Sequence, residues 1–373
     1  MHGNRSASAP RIMLRTSVFP SRYVQGAGAL GTLDDELARF GSSAACLVDS
    51  NVVTLRDTVV AQARRVRLHV RETDAACTER SVSDATAWIR ASGAQMVVSL
   101  GGGKVVDTGR AAADNLRLPF VCVPTIAASD APCSALSVIY DKDGRVVHDR
   151  FVRRNPDLVL VDSQVIANAP VRFFIAGIGD ALSTWYEAQA CHKAHAANLC
   201  GGHASAVALQ TARLCRDTLF EHAVQAVDDC RAHLVTPDFD ATLEATVLMS
   251  GIGFESAGVA AAHAIHHGLA ELPSSHRFLH GEKVAVGTLA SLFLWPAPDR
   301  ERLAVFRFCR DVGLPTRLAD IGVDADDGEA LETVAERACR HGEIIHNEPY
   351  TVTAGMVVTA LIAMDRYAKR NVH

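Results

Sequence analysis

Apolar and polar positions divide the chain into two halves of different character. In the first half, four short Val-rich runs bounded by Gly, Pro, Asp or Asn predict buried strands at 45–48, 95–100, 119–123 and 158–161. Helical periodicity between the first three runs predicts helices at 51–65, 81–91 and 104–115. Short apolar strands that alternate with helices are typical of a parallel sheet with helices on its faces.

The remaining pattern adds a hairpin and a helical half. Leu136–Tyr140 and Val146–Val147 are joined by Asp-Lys-Asp-Gly, which predicts a β-hairpin added to the same sheet. From Phe173 onward, Ala- and Leu-rich segments keep the helical period, and strand signals disappear. We therefore predict a Rossmann-like α/β N-terminal domain followed by an all-α C-terminal domain. The predicted divisions are a disordered extension at 1–13, the α/β domain at 14–166 and the helical domain at 167–373.

Composition argues against several classes of function. The 373 residues are 49% hydrophobic and 21% charged, and a net charge of -5 gives no electrostatic reason to expect nucleic acid. Residues 1–13 contain no apolar segment typical of a secretory signal, and no run of about 18 apolar residues exists to span a membrane. Ten cysteines without a Cys-x-x-Cys pair predict reduced, mostly buried thiols, and hence a cytoplasmic protein.

Histidines recur at close spacing in the stretch 260–283, AAAHAIHHGLAELPSSHRFLHGEK. His263 lies about one helical turn from both His266 and His267, so these side chains can share a helix face. His280 follows after the helix is broken at Pro273. A single histidine is more often satisfied by the backbone or by water. This density of imidazoles favours a zinc or iron site, without selecting its ligands.

Two glycine-rich motifs compete as a phosphate-binding turn. Gly26–Gly31 fits G-x-G-x-x-G, and Asp49 follows at the distance of a ribose-binding acid, but the polar residues before it argue against a buried first strand. Gly101–Gly103 comes directly after an apolar strand and before a helix, where unpaired N–H groups can face a phosphate. Lys104 adds positive charge. We interpret the first motif as a tight turn and the second as the phosphate site.

Longer motifs carry a resemblance to a known family. They are GGGKVVDT (101–108), PTIAASDAPCSALSVIY (124–140), AGIGDALSTWYEA (176–188), ESAGVAAAHAIHHGL (255–269) and HGEKVAVG (280–287). Their sequences and their order resemble the glycerol dehydrogenases of the iron-containing, or group III, alcohol dehydrogenase family. The resemblance implies a dehydroquinate synthase-like architecture and a homo-oligomer, octameric in the family. It also implies NAD- and metal-dependent oxidation of glycerol to dihydroxyacetone.

Carried over by position, the metal ligands that the resemblance implies are Asp180, His263 and His280. Two imidazoles and one carboxylate leave coordination positions open for substrate oxygens, as a catalytic site requires. Zinc is the implied metal, with iron as the alternative. The chain departs from the family pattern at His267, where Asn is usual. Thr184 stands where iron-dependent relatives carry a further histidine.

The resemblance also assigns the contacts of the cofactor's two ends. Gly101, Gly102 and Gly103, with Lys104, would hold the pyrophosphate. Asp49 would bind the adenosine ribose and repel a 2′-phosphate, which favours NAD over NADP. The alternative for Asp49 is that it only caps the helix predicted to follow it. The residues implied to line the adenine and nicotinamide are Thr125, Ser134, Leu136, Val138 and Tyr140.

Two residues are implied to contact the substrate, a small polyol. Asp130 would sit beside the bound alcohol as a catalytic residue, and Phe254 would wall the pocket. Another reaction of the same site, on a different diol, hydroxyketone or 2-hydroxy acid, is the main alternative. A non-catalytic NAD-binding paralogue is disfavoured because all three implied ligands are present. Relatives that bind a substrate phosphate need extra basic residues, and the helical half shows no such cluster near its ligands.

Overall fold

A computed structural model describes residues 14–142 and 144–372, so the predicted disordered extension at 1–13 lies outside the described residues. Six parallel strands form one sheet in the order β1-β8-β5-β4-β2-β3, and β6 and β7 form a second sheet. The strands are β1 (Tyr23–Gly26), β2 (Ser43–Asp49), β3 (Arg67–Thr73), β4 (Met96–Gly101), β5 (Phe120–Pro124), β6 (Leu136–Tyr140), β7 (Val146–Phe151) and β8 (Leu158–Asp162).

The four predicted strands are confirmed as the centre of the sheet. All residues of β2, β4, β5 and β8 are buried, which is why these strands are almost continuously apolar in the sequence. The pattern missed β1 and β3, which lie at the two edges of the sheet. Both are only partly buried, so they tolerate the Gln, Arg, His and Glu side chains that hid them.

The hairpin is confirmed, but its predicted place in the main sheet is wrong. β6 and β7 pair only with each other, as an antiparallel two-stranded sheet. The free side of β6 is held by a helix instead of a strand. The Val138 N–H donates to Asp107 Oδ2 at 3.0 Å, and Ser137 Oγ donates to the Asp107 carbonyl at 3.0 Å.

Helices cover the sheet in the first half and form the rest of the described chain. Those of the first half are α1 (Leu33–Leu37), α2 (Val53–Gln62), α3 (Glu79–Ser92), α4 (Gly103–Leu116) and α5 (Ser163–Ala167). The three predicted helices correspond to α2, α3 and α4. Their ends follow local signals, because Thr78 and Ser81 form a capping box at the start of α3 and Gly93 ends it at φ +67°.

The second half is helical, as predicted. Its helices are α6 (Val171–Ala194), α7 (Ala206–Arg231), α8 (Pro237–Glu244), α9 (Ser250–Ala257), α10 (Ala261–Leu269), α11 (His280–Ser291), α12 (Asp299–Val312), α13 (Gly328–Ala338) and α14 (Ala354–Asn371). Within the described part of the chain, no single helix is long and apolar enough to cross a membrane. Pro237–Ala257 and Ala261–Leu269 reach that length and hydropathy only when joined across a bend of 101°.

One apolar core joins the sheet to the helices. Its largest cluster contains Val97 and Val159 from the sheet together with Phe174 and Leu289 from the helical half. The ten cysteines are all free, and eight of them are buried, which confirms the prediction of buried thiols.

Candidate active site

Three side chains from three helices converge at one point. Asp180 lies on α6, His263 on α10, and His280 is the first residue of α11. Asp180 Oδ1 is 3.4 Å from His263 Nε2 and 3.1 Å from His280 Nε2, and one ligand atom from each residue lies within 4.8 Å of the others. This donor set fits zinc or iron.

Close packing of small residues brings these helices together. A Cβ on Gly281, next to His280, would overlap the carbonyl oxygen of Ala176 on α6. A Cβ on Gly179, next to Asp180, would lie 2.6 Å from the carbonyl oxygen of Gly281. Only glycine therefore allows α6 and α11 to approach closely enough for Asp180 to reach His280.

The three candidate ligands are not equally accessible. The side chain of Asp180 is 1% exposed and that of His263 is 8% exposed, whereas that of His280 is 41% exposed. Burial opposes ionisation of Asp180, but His280 and His263 outweigh it and hold the pKa of this carboxyl below its usual value. The cluster is therefore buried at Asp180 and His263 and exposed to solvent at His280.

Asp130, the residue predicted to sit beside the bound alcohol, lies next to this cluster. Its backbone N–H donates to Asp180 Oδ2 at 3.2 Å, and its own Oδ2 accepts from Ser250 Oγ at 3.0 Å. Burial, together with the nearby charge of Asp180, raises the pKa of Asp130 well above its usual value. Thr184 Oγ1 is 3.0 Å from Ser250 Oγ. Thr184 thus belongs to the hydrogen-bonded surroundings of Asp130.

The other residues of the histidine-rich stretch have different surroundings. His266 Nε2 is 3.1 Å from His280 Nδ1, on the side of the ring away from Asp180. His267 Nδ1 is 3.0 Å from Glu343 Oε2, in a separate ion-pair cluster. The Phe254 ring centre is 5.8 Å from that of His263, so this phenylalanine lies next to the candidate metal site.

Sequence reasoning missed Glu187, which contacts a predicted ligand directly. Glu187 Oε2 is 2.6 Å from His263 Nδ1, and both side chains are buried. Burial opposes ionisation of Glu187, but His263 outweighs it and keeps the pKa of this carboxyl below its usual value. One signal was available. Glu187 follows Asp180 by seven residues on α6, and two helical turns place both on the same face.

The second glycine motif forms an open turn at the carboxyl edge of the sheet. Gly102 is the N-cap of α4, and a Cβ on Gly103 would meet no atom within 4 Å. The first amides of this helix can therefore be reached by a phosphate. Lys104 Nζ lies 4.6 Å from the ring centre of Tyr140, so these two predicted cofactor residues are in contact.

The two carboxylate oxygens of Asp49 have different surroundings. Its Oδ1 accepts hydrogen bonds from the Asn51 N–H at 3.0 Å and from Asn51 Nδ2 at 2.8 Å. Asp49 therefore caps the short 3-10 turn Ser50–Val52, which comes directly before α2. The other oxygen faces the glycine turn, because a Cβ on Gly102 would lie 3.9 Å from Asp49 Oδ2. The cap therefore does not exclude a ribose contact through Oδ2.

The first glycine motif is a tight turn whose amides bind a carboxylate of the chain itself. Gly28 has φ +78°, and its N–H donates to Asp162 Oδ1 at 3.1 Å. The Leu30 N–H donates to Asp162 Oδ2 at 2.9 Å. Because Asp162 occupies these donors, the motif is a structural turn.

The residues predicted to line the cofactor follow one path from the glycine turn to Asp130 and on to β6. The Thr125 N–H donates to the Gly101 carbonyl at 3.1 Å, and Ser134 Oγ donates to the Ala131 carbonyl at 3.1 Å. Leu136, Val138 and Tyr140 all lie on β6.

A buried ion pair that the sequence did not suggest holds this path in place. Arg110 Nη1 donates to Asp107 Oδ1 at 2.6 Å, and the same guanidinium donates to the carbonyls of Ala131 and Leu136. Asp107 also accepts the Val138 N–H. The pair belongs to α4, whose first turn is the predicted phosphate site.

Comparison with known proteins places this geometry in a family. Residues 20–163 match the family described as iron-containing alcohol dehydrogenase. A glycerol dehydrogenase of Thermotoga maritima is 47% identical over 359 residues, which cover 96% of this chain and 98% of that protein. A glycolaldehyde reductase of Halobacterium salinarum is 37% identical, over 95% of this chain and 99% of that protein.

Solved structures agree with the sequence comparison. The crystal structure of a probable glycerol dehydrogenase from Sinorhizobium meliloti superposes with a TM-score of 0.90 at 39% identity, over 96% of this chain and 100% of that one. Glycerol dehydrogenase from Schizosaccharomyces pombe also superposes with a TM-score of 0.90, at 34% identity, over 96% of this chain and 92% of that one. The chain therefore belongs to the iron-containing alcohol dehydrogenase family.

Proposed function

We propose that this oxidoreductase uses NAD and a bound metal to oxidise glycerol to dihydroxyacetone, and that it also catalyses the reverse reduction. The observation that carries the proposal is the cluster of Asp180, His263 and His280, open at His280 and adjacent to Asp130. The names of relatives at 47% and 39% identity support glycerol as the substrate.

Asp180, His263 and His280 would hold the metal, zinc by preference and iron as the alternative. When bound, the metal would lower the pKa of a substrate hydroxyl as a Lewis acid, and NAD would accept the hydride. One alcohol and one NAD⁺ thus give one ketone, one NADH and one proton. Three protein ligands leave room for two adjacent hydroxyl oxygens, which favours a vicinal diol.

The chain's own residues would orient both reactants. Ser250 fixes one carboxylate oxygen of Asp130, which leaves Oδ1 to orient the substrate hydroxyl and relay its proton. Phe254 would exclude water from one side of the substrate.

For the cofactor, the amides at Gly101, Gly102 and Gly103, with Lys104, would bind the pyrophosphate, and Asp49 the adenosine ribose. The segment that carries Thr125, Ser134, Leu136, Val138 and Tyr140 would line the cofactor from its adenine to its nicotinamide end. We further propose a cytoplasmic homo-oligomer, with the octamer that the resemblance implies as the expected form.

A second candidate is the reduction of a small hydroxyaldehyde by the same site. The glycolaldehyde reductase at 37% identity supports it, because that relative covers the chain almost completely. The two candidates share the ligands and the cofactor site, and they differ only in which carbonyl or diol fits beside Asp130. Substrate preference must therefore be measured.

The test is a substrate panel run on protein with a known metal content. Apo-protein reloaded with zinc or with iron is assayed with NAD and with NADP against glycerol, ethylene glycol, propane-1,3-diol and lactate, and in reverse against dihydroxyacetone and glycolaldehyde. We expect the highest kcat/KM for glycerol and dihydroxyacetone with NAD. Equal efficiency for propane-1,3-diol, whose hydroxyls are not adjacent, would contradict the vicinal-diol proposal. A clear preference for glycolaldehyde would favour the second candidate.

A further inference from the structure

Glu187 makes three contacts with the helix that carries His263. Its Oε2 is 2.6 Å from His263 Nδ1, and its Oε1 accepts the backbone N–H groups of Ala260 and of His263, each at 2.9 Å. The side chain of Glu187 is 3% exposed. One buried carboxylate therefore binds both the ring of His263 and the backbone at the start of α10.

The chemistry of these contacts determines which ring nitrogen carries the proton. An ionised carboxylate can only accept hydrogen bonds, so His263 Nδ1 must carry the hydrogen. In the neutral tautomer that this contact selects, the Nε2 atom, 3.4 Å from Asp180 Oδ1, keeps its lone pair and can bind a metal.

The backbone contacts add a second constraint. The residue that precedes α10, Ala260, offers no side-chain cap, so the first amides of this helix need partners from elsewhere. Glu187 accepts the N–H of Ala260. Glu348 Oε1 accepts the N–H of Ala261 at 3.3 Å. Of these two carboxylates, only Glu187 also contacts the imidazole ring.

We infer that Glu187 is a positioning residue that sets the tautomer and orientation of His263 for metal binding. This inference rests on the proposed metal-dependent function. Carboxylates that orient metal-bound histidines typically contribute a factor of about 10–100 to metal affinity. The same effect is not expected through His280, whose Nδ1 faces the ring of His266 and not a carboxylate.

The test compares Glu187→Gln with Glu348→Gln in the full-length protein. In E187Q the amide oxygen can still accept the N–H groups of Ala260 and His263, but the amide NH₂ then faces His263 Nδ1 and favours the wrong tautomer. E348Q is the matched control, because it changes the other carboxylate at the start of the same helix without touching the ring.

Three measurements separate positioning from folding. Zinc affinity is determined by competition with a chromophoric chelator. The visible spectrum of the cobalt-loaded protein reports the coordination geometry. Thermal unfolding measures the stability of the apo-protein. For E187Q we expect zinc binding about 10–100-fold weaker than wild type, a changed cobalt spectrum and an apo-protein Tm close to wild type. For E348Q we expect wild-type zinc affinity and cobalt spectrum.

Other results would overturn the inference. Wild-type zinc affinity and cobalt spectrum in E187Q would exclude a positioning role, even though the proposed function would stand. Equal loss of zinc in E348Q would assign the effect to docking of the helix start. If E187Q does not fold, the zinc affinity of Glu187→Asp is measured instead. This variant keeps the negative charge but moves the carboxylate away from His263 Nδ1. Wild-type zinc affinity in Glu187→Asp would overturn the inference. If the wild-type protein binds neither zinc nor iron, and His280→Ala is indistinguishable from it, the proposed function fails together with the inference.

Discussion

At the residue scale, Asp180, His263 and His280 are expected to act as a unit, because each supplies one atom of the same small cluster. Asp180→Asn, His263→Ala and His280→Ala should each lose bound metal and turnover together. NADH binding should persist, because the proposed cofactor turn lies at the start of α4 and the proposed ligands lie on other helices. Metal analysis after gel filtration, kcat, and NADH fluorescence titration measure the three properties on the same preparations.

His266 provides the control for these ligand variants. Its ring contacts His280 Nδ1 at 3.1 Å and not Asp180, so His266→Ala should be much milder than the ligand variants. If His266→Ala alone abolished metal binding, the choice of ligands within His263–His267 would be wrong. Full metal occupancy in any of the three ligand variants would show that the residue is dispensable as a ligand.

Asp49 is expected to decide the choice between NAD and NADP. Its Oδ1 is used in the cap, and its Oδ2 faces the glycine turn, where a 2′-phosphate would meet a like charge. Asp49→Ser keeps a capping oxygen and removes the charge. The ratio of kcat/KM for NAD to that for NADP should therefore fall at least several-fold from a wild-type preference of about tenfold or more, equivalent to about 1.4 kcal/mol.

The thermal stability of the Asp49→Ser protein serves as the control, because the cap is retained. If the folded variant keeps the wild-type ratio of kcat/KM for NAD to that for NADP, Asp49 acts only as a cap.

At the scale of elements, the turn between β4 and α4 should respond to substitution differently from the turn after β1. Gly103→Val should block the cofactor, because a Cβ at Gly103 enters open space where the pyrophosphate is proposed to bind. Gly102→Val should also block cofactor binding. It should disturb the local packing as well, because a Cβ at Gly102 would lie 3.2 Å from Ile126 Cδ1. The measurement is the dissociation constant for NADH by fluorescence titration.

Gly28→Val is the matched control in the other glycine motif. Gly28 has φ +78°, a conformation that valine rarely adopts, so this variant should lose stability. In the protein that remains folded, NADH affinity should be close to wild type. A selective loss of NADH affinity in folded Gly28→Val protein would contradict the assignment of the two motifs.

The buried pair on α4 is expected to matter for both stability and cofactor binding. Asp107→Asn leaves the guanidinium of Arg110, which is 2% exposed, without its carboxylate partner. Breaking a buried pair in this way typically costs about 3–5 kcal/mol of unfolding free energy. NADH affinity should fall as well, because Asp107 and Arg110 both hold β6.

Urea unfolding measured at pH 8 tests this prediction. Burial raises the pKa of Asp107 to about 6, even beside Arg110, so the carboxylate is ionised at pH 8. Asp114→Asn is the control on the same helix. Asp114 pairs with Arg153, whose side chain is 51% exposed, so this loss should cost less than about 1 kcal/mol. Equal costs in the two variants would show that the buried pair adds nothing specific.

At the scale of the whole molecule, the division into domains at 14–166 and 167–373 remains a proposal, and the core bears on it. Because one apolar cluster contains Val97 of the sheet and Phe174 of the helical half, we expect the two halves to unfold together. Two variants report on each half separately by tryptophan fluorescence. Trp185→Phe combined with Trp295→Phe keeps Trp88 on α3, and Trp88→Phe keeps the two tryptophans of the helical half.

Urea midpoints from both variants should coincide with each other and with the far-ultraviolet circular dichroism of the wild type. Two separate midpoints would instead mean that the halves are independent folding units.

The sequence by itself determined the parts of this protein that depend on local chemistry. The central strands were predictable because a strand buried on both faces must be apolar along its whole length. The turn Gly101–Gly103 was predictable because it joins such a strand to a helix. The local pattern also located a histidine-rich metal region, although the choice of Asp180, His263 and His280 came from the family resemblance.

Only the tertiary structure decided the features that depend on contacts between distant residues. β1 and β3 lie at the sheet edges, where partial exposure permits polar side chains that conceal a strand. The predicted hairpin stands apart from the main sheet because α4 satisfies the free side of β6. Asp180 meets His280 across 100 positions of sequence, and Glu187 meets His263 across 76. Such pairs leave no periodic pattern, because the packing of α6 against α10 and α11 creates them.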